Sequence, residues 1–136
     1  MTDKITSQIT KSRGPRVGAA MAHRGDDWRD TATEWTVVLV FQGRQMSLNY
    51  YTGSGVKEAP TTASVVNNLA LDAHGATYSE TFEEWAAEFG YDEDSRKAER
   101  IYNACKLQAK RLGVLLMQKY SFEELTDEDR CIEVCE

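Results

Sequence analysis

Histidine, cysteine and proline are scarce in this 136-residue chain, which has two, three and two of them. With only His23 and His74 as bases, neither near a carboxylate at fitting spacing, and no serine in a nucleophile-elbow context, the sequence offers no acid–base or nucleophilic constellation. Cys105, Cys131 and Cys135 are an odd number without framework spacing, which points to a reducing compartment rather than a disulfide scaffold. Tetrahedral zinc needs four donors, and Cys131 and Cys135 have only Cys105, His23 and His74 to add, so a metal site is not expected. The acids Asp92, Glu93 and Asp94, and again Asp127, Glu128 and Asp129, lack the spaced ligands and the glycine of a calcium loop. Gly53 and Gly55 lack the further glycines or the lysine of a phosphate-cradling loop. No apolar run approaches the roughly 20 residues that span a bilayer, and the first residues lack the hydrophobic stretch of a secretory leader. The expectation is a soluble, intracellular protein that is not an enzyme, needs no cofactor and avoids the membrane.

What the chain does have is charge laid down in blocks. The net charge is −6. Lys4, Lys11, Arg13, Arg16 and Arg24 face Asp3 alone near the start, which makes residues 1–33 a basic arm. That stretch mixes Gly, Ser, Thr and Arg without a sustained period, so it is expected to be flexible, with a single α+β domain over residues 34–136. Glu80, Glu83, Glu84, Glu88, Asp92, Glu93 and Asp94 follow one another without a base, and six bases against Glu99 then fill residues 96–111. Segregation of this kind marks partner-facing surface or plain solvation.

Local patterning predicts an α+β fold, a β-hairpin packed against three helices and a short fourth. Trp35, Val37, Leu39 and Phe41 alternate with Thr36, Val38 and Val40, and Met46, Leu48 and Tyr50 alternate with Ser47, Asn49 and Tyr51, with a polar turn over residues 42–45 between them. A two-stranded ribbon is marginal alone, and Ile132 and Val134 are the best candidates for a third antiparallel strand. Pro60, Thr61 and Thr62 open a first helix with Val65, Val66, Leu69, Ala70 and Ala73 on its apolar side, closed by His74 and Gly75. Thr81 and Glu84 have capping-box form for a second helix, which buries Phe82, Trp85, Ala86 and Phe89 and stops at Gly90. A third starts at Asp92, Asp94 or Ser95, with Ala98, Ile101, Tyr102, Cys105, Ala109, Leu112 and Leu116 inward and Arg96, Arg100, Lys106, Lys110 and Arg111 outward. Ser121 and Glu124 mark the short terminal helix.

Trp35-Thr-Val-Val-Leu, Gly43-Arg-Gln-Met-Ser, the loop leading to Pro60-Thr and, above all, the run from Phe82 to Cys105 resemble a group of small proteins encoded in phages and prophages. The likeness covers roughly residues 35–112 and leaves out the basic arm and the acidic tail after Tyr120. It implies a stoichiometric inhibitor acting in the cytoplasm of an infected bacterial host. Its partner would be a host defence protein or ribonucleoprotein such as a CRISPR effector, as for an anti-CRISPR. Under that reading Glu83, Glu84, Glu88, Asp92, Glu93 and Asp94 are the partner-binding acids. An alternative is direct nucleic-acid binding through the arm and Arg96, Arg100, Lys106, Lys110 and Arg111, with Tyr50 and Tyr51 stacking bases. A further alternative is sequestration of a small ligand between hairpin and helices.

Overall fold

The structure, a computed structural model, describes residues 4–11, 33–52, 58–79 and 81–136. Strands β1 (Thr6–Lys11), β2 (Thr33–Phe41) and β3 (Arg44–Thr52) form one antiparallel sheet in the order β1-β2-β3. Five helices follow among the described residues: α1 (Thr62–Tyr78), α2 (Phe82–Phe89), α3 (Arg96–Leu116), α4 (Phe122–Leu125) and α5 (Glu128–Val134). The fold is α+β.

The hairpin register places Trp35 beside Tyr50, Val37 beside Leu48 and Leu39 beside Met46. All six side chains are buried on one face, as a period of two requires. The turn is tighter than the sequence implied, because Arg44 and Gln45 already belong to β3. Gln42 and Gly43 alone make the corner, with φ of 50° and 79°, the positive pair that matches hairpin twist.

The third strand corrects two expectations. Ile132 and Val134 lie in α5, and the edge strand is Thr6–Lys11, inside the segment expected to be a flexible arm. Residues 1–3 and 12–32 of that arm lie outside the described residues. Ile5 and Ile9 sit on the inner side with Ser7, but one polar residue in three inward positions, flanked by Lys4 and Lys11, gave the alternation little contrast. The chain ends are tied together there. Ile5 N–H donates to the Val134 carbonyl at 2.9 Å, Glu136 N–H donates to the Ile5 carbonyl at 2.9 Å, and the Ile5 side chain is fully buried.

Thr61 caps α1 with a reciprocal box to Ser64. The helix then runs past His74 and Gly75 to Tyr78, so Gly75 is not its end. A Cβ at Gly75 would lie 2.7 Å from the Phe89 ring, and the glycine is there to let α2 approach α1. Thr81 caps α2, Gly90 closes it in the left-handed region at φ 76°, and Ser95 begins α3. The terminal helix is two: α4, with a capping box between Ser121 and Glu124, and α5, capped by Asp127. Arg130 bridges Glu124 at 2.7 Å and Glu133 at 3.0 Å, and the hydrogen bond from Arg130 holds the Glu124 carboxyl below its ordinary value. This clip therefore helps above the unfolded carboxyl value and is lost as pH falls through the lower folded one; both partners are part-exposed, so its weight is small.

Two apolar clusters result. The larger lies between the sheet, the first half of α1, the last turn of α3 and helices α4 and α5. The smaller joins Ala76, Trp85, Ala86, Ala98, Ile101, Tyr102 and Cys105. Within it Trp85 is fully buried and stacks on Tyr91 at 5.2 Å and 5°.

The terminal tie is testable. Ile5→Ala should cost about 2–5 kcal/mol in urea unfolding, the range for truncating a buried isoleucine. Thr10→Ala on the same strand should stay within about 0.5 kcal/mol.

Candidate protein-binding surface

The expected partner-binding acids all reach solvent. Glu83, Glu84 and Glu88 line the outer side of α2, and Asp92, Glu93 and Asp94 occupy the turn into α3, all six exposed; Glu80 lies outside the described residues. Part of this block serves the backbone. Glu83 and Glu84 occupy the first turn of α2, where the helix dipole favours a carboxylate, and Asp92 accepts a hydrogen bond from the Asp94 N–H at 3.0 Å. Glu88 has no such reason to be acidic. It sits in the last turn of α2, where the dipole disfavours a negative charge.

Glu84 and Glu88 also line a groove of about 620 Å³ between α1 and α2. Its other walls are Leu71, His74, Tyr78 and Phe89, and Asp72 lies at its base, 1% exposed. Tyr78 is 81% exposed, with its ring 5.9 Å from that of His74. Two exposed glutamates, the buried Asp72 and the rings of His74, Tyr78 and Phe89 thus line one trough, a combination suited to an organic cation.

The basic residues are dispersed by the fold. Arg96 and Arg100 are exposed on the first turns of α3. Arg111 donates to the Ser47 carbonyl at 2.5 Å and fastens α3 to β3. Lys106 lies over the Tyr102 ring at 5.4 Å. Lys106 and Lys110 border a second groove, of about 1000 Å³, which runs along α3 and meets α1 at Thr77. Tyr50 and Tyr51 are 4% and 2% exposed, and the Tyr50 hydroxyl accepts a hydrogen bond from Asn68 at 2.6 Å. Both are core residues of the sheet, which corrects the expectation that they stack bases, since stacking needs an open ring face.

The three thiols are buried and none is in a disulfide. Burial pushes Cys131 up to about 11 and Cys135 up to about 12. Among the described residues no three His, Cys, Asp or Glu side chains gather as a metal site, and no helix is long and apolar enough to cross a membrane.

The exposure of the acids was legible in the sequence, and the grooves were not. Asp72, His74 and Tyr78 join Glu84 and Glu88 only through the packing of α1 on α2, which no local pattern encodes. Gly113 was the available signal for the second groove, since it interrupts an otherwise regular helix. No protein-family model, curated protein or solved structure matches the chain.

At pH 8 the native protein should release almost no thionitrobenzoate from Ellman's reagent within minutes, and three equivalents once denaturant is added, because the thiolates that react are suppressed by burial. Gly113→Ala should raise unfolding stability by about 0.5–1 kcal/mol, because the added Cβ meets nothing nearer than the Phe122 ring at 3.9 Å.

Proposed function

We propose that the protein acts by stoichiometric binding, presenting the carboxylates of α2 and of the 92–94 turn to a basic site on a partner protein. The observation that supports this reading is the groove between α1 and α2, where Glu84 and Glu88 rim a trough with Asp72 at its base and Tyr78 and Phe89 in its walls. An arginine side chain fits that chemistry best, because a guanidinium both pairs with carboxylates and lies flat on aromatic rings. Glu88 adds weight, since an acid at that end of α2 works against its own helix.

The resemblance to phage-encoded accessory proteins supplies the partner class. It is a host defence protein or ribonucleoprotein, such as a CRISPR effector, whose nucleic-acid channel is basic. An acidic face competes for such a channel by charge complementarity, which raises the association rate and excludes wrong partners. The place of action is then the cytoplasm of the infected cell.

The test is Glu84→Lys, Glu88→Lys and Glu93→Lys in one variant. Thr81 accepts from the backbone of residue 84, so the α2 cap survives, and the dipole cost of about 0.3–1 kcal/mol at position 84 is offset by a lysine near the C-terminal end. The variant should keep its circular dichroism and unfolding midpoint yet lose one-to-one retention of the host partner by at least about tenfold, some 1.4 kcal/mol. Undiminished retention would exclude this face.

A further inference from the structure

We infer that the second groove, along α3, is a docking site for an acidic amphipathic helix of a partner protein. It shares no lining residue with the groove between α1 and α2 and is a separate surface from the acidic face. It follows α3 from Lys106 to Met117, about 17 Å of helix at the usual rise, or roughly three turns. Ala109, Gly113, Val114 and Phe122 supply an apolar floor and walls, with Val114 65% and Met117 54% exposed.

Two departures from local preference meet in this groove. Gly113 lies within a 21-residue helix, where glycine is unfavourable against alanine. Gly75 has a packing reason, the Phe89 ring at 2.7 Å; Gly113 has none, because a Cβ there would find only Phe122 at 3.9 Å. What the missing side chain does is deepen the trough. Met117 is the second departure. It closes α3 in the left-handed region at φ 51°, and Gln118 follows at φ 61°, where glycine or asparagine is the usual choice. The chain instead places there a long, adaptable, half-exposed apolar side chain at the end of the groove.

Charge decides the occupant. Lys106 and Lys110, one turn apart, are the only charged residues lining the groove among the described residues. An open apolar trough several turns long takes the apolar stripe of a helix, and two lysines along one rim select carboxylates beside that stripe.

The probe is a fluorescein-labelled 17-residue peptide with leucines at helical spacing and glutamates flanking them, alongside the same peptide with lysines for glutamates. Anisotropy should report binding of the acidic peptide only, and the methyl signals of Val114 and Met117 should move with it. Lys106→Glu with Lys110→Glu should weaken the acidic peptide at least tenfold and admit the basic one. Gly113→Leu should fill the trough and block docking while the unfolding midpoint holds; Val114→Glu, at an exposed position, gives the same block should leucine disturb the helix. The acidic face is untouched in all of these variants, so their failure leaves that reading standing. Equal binding of both peptides, no binding at millimolar peptide, or unimpaired binding to both blocked variants would overturn the inference. Dodecanoate moving the same methyl signals while the peptide does not, or a single-stranded DNA 12-mer displacing the peptide, would overturn it as well.

Discussion

Everything in the helical half depends on how closely α1 and α3 lie together, because among the described residues these two helices alone contribute to both apolar clusters. Val65, Val66, Leu69 and Ala70 of α1 meet Leu112, Leu115 and Leu116 of α3 under the sheet, while Ala76 meets Ala98, Ile101 and Cys105 at the other end. A helix so used must be apolar or small on most sides, and α1 buries Asn67 and Asp72 as well. The buried amide of Asn67 is accounted for: it donates to the Leu125 and Thr126 carbonyls at 3.2 and 3.0 Å, covering backbone acceptors at the end of α4. Thus a polar residue in the centre of the core fixes where the C-terminal helices dock. Those helices in turn hold Ile5 and the edge strand.

Local signals were strong in the sequence wherever one residue type answers one backbone need. Thr61, Thr81, Ser95 and Ser121 each cap a helix, and Gly90 closes one, because an unpaired amide or a positive φ admits few alternatives. The inward stripes of β2, β3 and α3 were legible for the same reason. Signals failed where a residue answers a distant neighbour. Gly75 reads as a terminator in one dimension and is a contact with Phe89 in three. Ile132 and Val134 alternate like a strand, yet Val134 is buried and Ile132 exposed because Asp127 starts a helix there. The edge strand is faint in the sequence because its pairing partner lies some thirty residues away, and its side chains alternate only weakly.

Site residues divide along the same line. The six acids could be read as solvent-facing because charge is a property of the residue itself. Their company was not, since Asp72 and Tyr78 reach Glu84 and Glu88 only after α2 folds back on α1. The basic row is the converse case. Read on a helical wheel it is one continuous face, yet Arg111 donates to the Ser47 carbonyl and Lys106 and Lys110 border an apolar trough, so the row has no common surroundings. A pattern of charges on a helix gives direction, not destination.

The two grooves share α1 as a common wall. His74 and Tyr78 line the anionic one and Thr77 lines the cationic one, so neighbouring residues on the last turns of α1 face troughs of opposite sign. Side chains on consecutive helical positions diverge by about 100°, which is enough to separate two surfaces on one narrow helix. The separation is sustained from outside as well: Arg44 reaches Met117 on the far side of the cationic groove, and Phe89 presses on Gly75 beneath the anionic one. A partner engaging both would have to straddle α1 with a basic element on one flank and an acidic one on the other. Such a charge pattern fixes orientation, because reversing the partner sets like charges against each other on both flanks, and like-charge juxtaposition costs several kcal/mol.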